Sequence, residues 1–211
     1  MPTRQQARAR AVLERLQKLY RAKAMVDFGT AEDTLIATLL SARTRDEQVI
    51  AVYPRLRAAF PRLQDLADAS LPALERAIGS IGLFRAKAKA IKRLARMLLD
   101  EYGGRVPKTI EELTRLPGVG RKTASCVLWY AFGIPAIAVD THVFRVTHRL
   151  GWAKGAVPEA VERELATAVP RDLWGEMNRL FVQFGRTVCK PGVPRCYVCP
   201  VADLCPYEPK N

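Results

Sequence analysis

Apolar residues recur along this chain at three- and four-residue intervals, a period that predicts helices nearly throughout. In an Arg-rich, acid-poor opening segment, Thr3 to Lys18, the residues Ala11, Leu13, Leu16 and Tyr20 fall close to one stripe and predict a folded amphipathic helix. Asp33 to Leu40 predicts a compact apolar helix. Asp46 is expected as the N-cap of the next, which carries Val49, Val52, Leu56 and Phe60 to a stop at Pro61. Ser70 with Leu71-Pro72 opens a short helix, since proline is tolerated in a first turn. From Arg85 to Tyr102, Ala, Ile, Leu and Met alternate with Lys and Arg at helical spacing until Gly103-Gly104 ends the run. Thr109-x-x-Glu112 has the form of a capping box heading a helix that ends at Leu116-Pro117. Further helices are expected over Gly120 to Ala131, Thr141 to Leu150, Pro158 to Val169 and Leu173 to Phe184. The one strand-like run, Ile134 to Val139, is too short and isolated to build a sheet. The expected fold class is all-α, with short turns between helices. The tail from Cys189, broken by Pro191, Pro194, Pro200 and Pro206, needs something other than regular structure to hold it.

Composition sharpens this picture. Hydrophobic residues make up 49% of the 211 positions and charged residues 26%, so the chain can bury a core and is not disordered. Lys plus Arg is 34 against 21 Asp plus Glu, a net charge of +13, which argues for a polyanionic partner, most simply nucleic acid. Solvated Arg-rich faces are the plainer alternative. No apolar run approaches the roughly 20 residues needed to cross a bilayer, so no membrane partner is expected. No signal-peptide core is apparent at the start. Of the five cysteines, Cys126 stands alone and four crowd into the tail. A secreted disulfide scaffold spreads its cysteines more widely, so a reducing, cytoplasmic compartment and a metal site fit better.

The tail pattern is Cys189-x6-Cys196-x2-Cys199-x5-Cys205. Four thiolates in a short loop satisfy one tetrahedral metal or one cubane cluster, and either would staple a segment too small to fold alone. Structural zinc usually takes two tight pairs. One tight pair flanked by two wide gaps leans towards iron–sulfur. Arg186, Lys190 and Arg195 put positive charge around this loop, suited to a phosphate backbone or to balancing an anionic cluster.

The most informative stretch is Leu116-Pro-Gly-Val-Gly-Arg-Lys-Thr-Ala-Ser125, which lies between two helices. Pro117 stops the first, and Gly118 and Gly120 permit backbone angles closed to other residues. Around Val119 and Arg121 the second helix then starts with amides free to meet a phosphate oxygen. It is not a Walker loop, because the spacing is wrong and no strand precedes it. By itself it reads equally as an anion site or as a tight helix–helix connection.

Together with Ile137-Ala-Val-Asp140-Thr-His142-Val-x-Arg145, this stretch resembles the helix-hairpin-helix DNA glycosylase superfamily. The cysteine tail narrows the resemblance to its iron–sulfur, endonuclease III branch, and Leu39-Leu-Ser-Ala-x-Thr and Ile81-Gly-Leu-x-x-x-Lys-Ala are similar to segments of that branch as well. The resemblance implies a helical barrel lobe over residues 24–134. It implies a second lobe from 1–23 and 135–211 holding a [4Fe–4S] cluster on Cys189, Cys196, Cys199 and Cys205, with a DNA groove between the lobes. It further implies a monomeric bifunctional glycosylase and abasic-site lyase. Such an enzyme removes oxidised pyrimidines from duplex DNA and cuts the strand 3′ to the abasic site.

Roles follow by position. Lys122 is the family's nucleophile, placed where a helix N-terminus and Arg121 disfavour the ammonium form. Asp140 is the carboxylate that assists it and stabilises positive charge on the sugar, and it also suits an N-cap. A stacked base is out of reach, so the nucleotide must be extruded and the hole filled. Leu83 matches the family wedge, against the alternative of an ordinary core leucine. Arg43 stands where the family usually has Gln; with more donors and no acceptor, it would read the opposite base differently. His142 is expected to position or pack, Asp46 to cap, and His148 to be structural. Gly118, Val119, Gly120, Arg121, Lys190 and Arg195 would face DNA. The competing readings are a monofunctional glycosylase of the superfamily, a non-catalytic hairpin module that binds DNA, and a zinc-stabilised DNA-binding protein.

Overall fold

A computed structural model describes residues 2–20, 29–208 and 210. Among these residues the chain forms eleven α-helices and three short 3-10 turns, and no strand. It divides into two compact units, Val26–Phe132 and a discontinuous one made of Met1–Met25 with Gly133–Asn211. The lobe boundary expected at residue 24 lies outside the described residues.

The continuous unit holds α2 (Ala31–Ser41), α3 (Asp46–Ala59), α4 (Leu63–Asp68), α5 (Leu71–Ala77), α6 (Phe84–Tyr102), α7 (Ile110–Arg115) and α8 (Arg121–Phe132). The long α6 packs against α4 and α5, and α2 against α8. Leu35, Leu40, Leu56, Ile91, Leu94 and Leu98 are fully buried in this unit. A half-buried polar cluster ties α2 to α3. The Arg57 guanidinium lies 2.9 Å from both Glu32 and Asp33, and the Tyr53 hydroxyl donates to Asp33 at 2.6 Å. Burial and that acceptor raise the Tyr53 pKa, which keeps the hydroxyl a donor.

Two local expectations are corrected here, the cap of α3 and the capping box of α7. Asp46 is the first residue of α3 and Arg45 takes the N-cap position, without a side-chain cap. The same helix runs through Pro54 and ends at Ala59, with Phe60 as its C-cap directly before Pro61, where a stop is expected. At α7, Thr109 Oγ1 accepts from the Glu112 amide at 3.2 Å, but its hydroxyl donates to the Glu112 carboxylate at 2.7 Å. That return bond replaces the one a capping box makes to the backbone. Helix α4 has six residues, too few for a hydrophobic period to announce it.

The discontinuous unit holds α1 (Arg4–Leu19), α9 (Thr141–Arg149), α10 (Pro158–Ala168) and α11 (Trp174–Thr187). Helix α1 packs on α10 and α11, and α9 on α11. The buried stripe of α1 is Ala9, Val12, Leu13 and Leu16, so Ala11 sits at its margin instead of in it. Leu13, Leu16, Val143, Val146, Phe181 and Phe184 share one core. Residues 133–140 take no regular structure, and the Asn178 amide donates to the Ala138 carbonyl at 3.0 Å to hold them. The tail adds only 3-10 turns at Cys196–Val198 and Ala202–Leu204.

Leu94→Ala in the middle of α6 should cost about 2–5 kcal/mol, the range for emptying a fully buried leucine site. Urea unfolding followed by helical circular dichroism measures it, and a loss below about 1 kcal/mol would contradict the packing described.

Candidate nucleic-acid interface

The turn between α7 and α8 is built around one close approach. Gly118 has φ +80°, and a Cβ there would lie 2.9 Å from Ala90 Cβ and 3.1 Å from Leu39 Cδ1. Both the angle and the space exclude a side chain. Val119, expected to face DNA, is instead buried, and its amide donates to the Leu116 carbonyl at 3.1 Å, which closes the turn. A Cβ at Gly120, by contrast, would meet nothing within 4 Å, so that side of the turn is open. Arg121 and Lys122 are exposed in the first turn of α8, which has no acidic residue, while Thr123 to Leu128 are buried. A basic helix start beside small residues, with no acidic side chain in its first turn, suits an anion by its own chemistry.

Two other loops of the same unit share a backbone feature. Arg43 and Leu83 are the non-glycine residues with positive φ among those described, at 54° and 61°. Such angles are costly for side chains of this size and persist where the surroundings impose them. Both side chains are exposed, Leu83 to 59%, which removes the alternative of a core leucine. Arg43 follows α2 and Leu83 precedes α6, the two helices against which Gly118 is seated. The structure thus brings the glycine turn, Lys122, Arg43 and Leu83 onto one scaffold.

Asp140 belongs to the other unit, where it caps α9. Its Oδ1 accepts from the His142 and Val143 amides, both at 2.8 Å. Burial lowers the His142 pKa, reinforced by Arg145 and Arg186, although Asp140 opposes it. Arg145 lies 3.2 Å from His142 Nδ1 and donates to the Cys189 and Gly185 carbonyls, each at 3.1 Å. A Cβ at Gly185 would sit 2.5 Å from His142 Nδ1, so this helical glycine is what lets the two side chains pack. His148 is structural: it stacks on Phe144, with ring centroids 4.3 Å apart.

Cys189, Cys196, Cys199 and Cys205 line one cavity with Val146, Leu150 and other apolar groups. Among the described residues, no three His, Cys, Asp or Glu side chains converge on a site for one metal ion. Burial, and the charge that neighbouring thiolates would carry, push the Cys199 and Cys205 thiols up. Arg149 reaches into this loop, donating to Cys189 Sγ at 3.4 Å, the Lys190 carbonyl at 2.7 Å and the Gly192 carbonyl at 2.9 Å. Its guanidinium lies 4.9 Å from the Tyr207 ring centroid. Arg195 is exposed and Lys190 half-buried on the same loop.

Residues 36–171 match the model of the HhH-GPD superfamily of base excision DNA repair proteins. The chain is 47% identical over 173 residues to endonuclease III of Thermotoga maritima, covering 82% of this chain and 81% of that one. It is 46% identical over 176 residues to endonuclease III of Bacillus subtilis, covering 82% and 80%. Over 98% of its length it superimposes on a trapped covalent endonuclease III–DNA intermediate, with a TM-score of 0.87 and 41% identity, covering 97% of that chain. This chain belongs to the endonuclease III family.

Endonuclease III proteins are DNA glycosylases with abasic-site lyase activity, and the family binds a [4Fe–4S] cluster. Against that family, several residues of the site were not legible in the chain. Gly185 had a signal, an isolated glycine within a helical pattern. Arg149 had none, because its partners lie more than forty residues away in the loop it clamps.

Gly118→Ala should lower stability by about 1–3 kcal/mol, because the strained angle and the contact with α2 and α6 act together. Gly120→Ala, which meets open space, should stay within about 0.5 kcal/mol of the parent. Equal thermal midpoints for the two variants would refute the steric account of the turn.

Proposed function

We propose that this chain excises oxidised pyrimidines from duplex DNA and then cuts the abasic strand by β-elimination, with Lys122 as nucleophile. The observation that carries this reading is an exposed lysine in the first turn of α8, directly after the glycine turn, on the unit that also displays Arg43 and Leu83. The Lys122 amine attacks C1′ as the damaged base departs with its bonding electrons and takes up a proton. Loss of a proton from nitrogen and opening of the sugar ring, in which the C1′–O4′ bond breaks and O4′ takes up a proton, give an imine between Lys122 and C1′. That imine acidifies the C2′ proton; its removal expels the 3′ phosphate, and water later frees the lysine. Asp140 supplies the carboxylate that helps deprotonate the amine and stabilises positive charge on the sugar. Hydrogen bonds donated by the His142 and Val143 amides to Oδ1 hold that carboxylate in place.

Leu83 enters the stack left by the extruded nucleotide and Arg43 meets the orphaned base, an arginine where an amide is usual. The exposed side of the turn at Gly120 and Arg121, with Lys190 and Arg195 of the cysteine loop, binds phosphates, and His142 orients the start of α9. The enzyme acts as a monomer on damaged or abasic duplex DNA in the cytoplasm. No helix among the described residues is long and apolar enough to cross a membrane.

Cys189, Cys196, Cys199 and Cys205 would hold the [4Fe–4S] cluster. The fit rests on four thiols lining an apolar cavity with an arginine at one sulfur. When bound, the cluster supplies the metal–thiolate bonds that hold the irregular tail.

Borohydride added during reaction with a thymine-glycol duplex should trap a covalent protein–DNA adduct, and Lys122→Ala should form none. An undiminished adduct in that variant would remove Lys122 from the reaction. Purified protein should be yellow-brown and hold about four irons per chain, and Cys199→Ala should lose both colour and iron. A colourless, fully folded zinc protein would exclude the cluster.

A further inference from the structure

We propose that Lys87 is the positioning residue that sets Leu83 and Arg43 in register, so that the two side chains meet DNA as one rigid two-pronged element. This rests on the reading above that both enter the duplex.

Lys87 lies in the first turn of α6 and is only 6% exposed. Its backbone amide donates to the Leu83 carbonyl at 3.0 Å, which anchors one prong. Its side chain holds the other. Lys87 Nζ donates to the Leu40 carbonyl at 2.7 Å, the Ala42 carbonyl at 2.7 Å and Thr44 Oγ1 at 2.8 Å. An ammonium has three donors, and all three are used. Two of the acceptors sit at the C-terminal end of α2, where carbonyls lack helical amides and the dipole favours a cation. Ala42 and Thr44 are the chain neighbours of Arg43 on either side, so the latch brackets that residue.

The two loops also touch. A Cβ at Gly82 would lie 3.4 Å from the Arg43 carbonyl and 3.5 Å from Thr44 Oγ1. Leu83 and Arg43 both hold left-handed backbone angles, which need an external constraint. Lys87 is common to the two. Burying its ammonium carries a desolvation cost that an apolar side chain at this position would avoid. The bonds to the Arg43 loop are what that cost secures.

The test compares two single-turnover rates: excision from a thymine-glycol duplex, and strand cleavage at an abasic site in a single-stranded oligonucleotide, where no stack has to be filled. Lys87→Met keeps the stem and removes the donors; it should lower the duplex-to-single-strand rate ratio at least about tenfold. Thr44→Val should lower the ratio by a smaller factor, and Thr44→Ser, which keeps the hydroxyl, should stay within about twofold of the parent. An unchanged ratio in a folded Lys87→Met protein overturns the inference. So does an equal fall in both rates, the mark of a general structural role. If Lys87→Met does not fold, the Thr44 pair decides, and equal ratios for Val and Ser overturn it. A parent enzyme that gives no borohydride adduct with either DNA would instead defeat the underlying reading, a separate result from an unmoved ratio.

Discussion

The seat of Gly118 against Leu39 and Ala90 is the contact on which the continuous unit depends. It is a backbone-to-side-chain approach with no room for a methyl group, and it fixes the start of α8 relative to α2 and α6. Because those helices also bound the Arg43 and Leu83 loops, one steric fit sets three features of the proposed site. The residues that follow this seat, Gly120, Arg121 and Lys122, are exposed to solvent. The strained, exposed residues lie at the ends of packed helices, the arrangement a site needs if it is to hold its geometry when it acts.

A second theme concerns where the positive charge goes. The net charge of +13 argues for a polyanion, but part of the cationic excess is structural. Lys87 donates to carbonyls at the end of α2, Lys92 to Ala69, Arg179 to Tyr20 and Arg8 to Leu150. Arg145 and Arg149 do the same for the cysteine loop. Each serves a carbonyl at or just past a helix end, which is the physical reason a helical chain with short irregular joints recruits long-stemmed cations. Lys and Arg suit the task because they are donor-only groups with long stems.

The cysteine loop shows the same logic at its limit. It has prolines, glycines and only single turns, so neither a ladder of hydrogen bonds nor a core of its own can order it. Arg149 and Arg145 bind its carbonyls from α9, and the thiols face an apolar cavity. Asp140 caps that same helix, so the carboxylate and the clamps on the loop share one element of about two and a half turns.

Helix content and order were legible from the chain because both are written in local periodicity and in Pro and Gly punctuation. The glycine turn, the Asp140 cap and the cysteine spacing were legible for the same reason: each is a run of neighbours. The short α4, the Arg45 cap and the passage of α3 through Pro54 were not, since a cap depends on where the backbone bends and a single turn has no period. The partners of Lys87, Gly185 and Arg149 lay further out of reach. Lys87 and Leu40 are 47 positions apart, and nothing in either neighbourhood names the other. Such pairings come into being only when helices pack, because burial alone decides which cation must find which carbonyl.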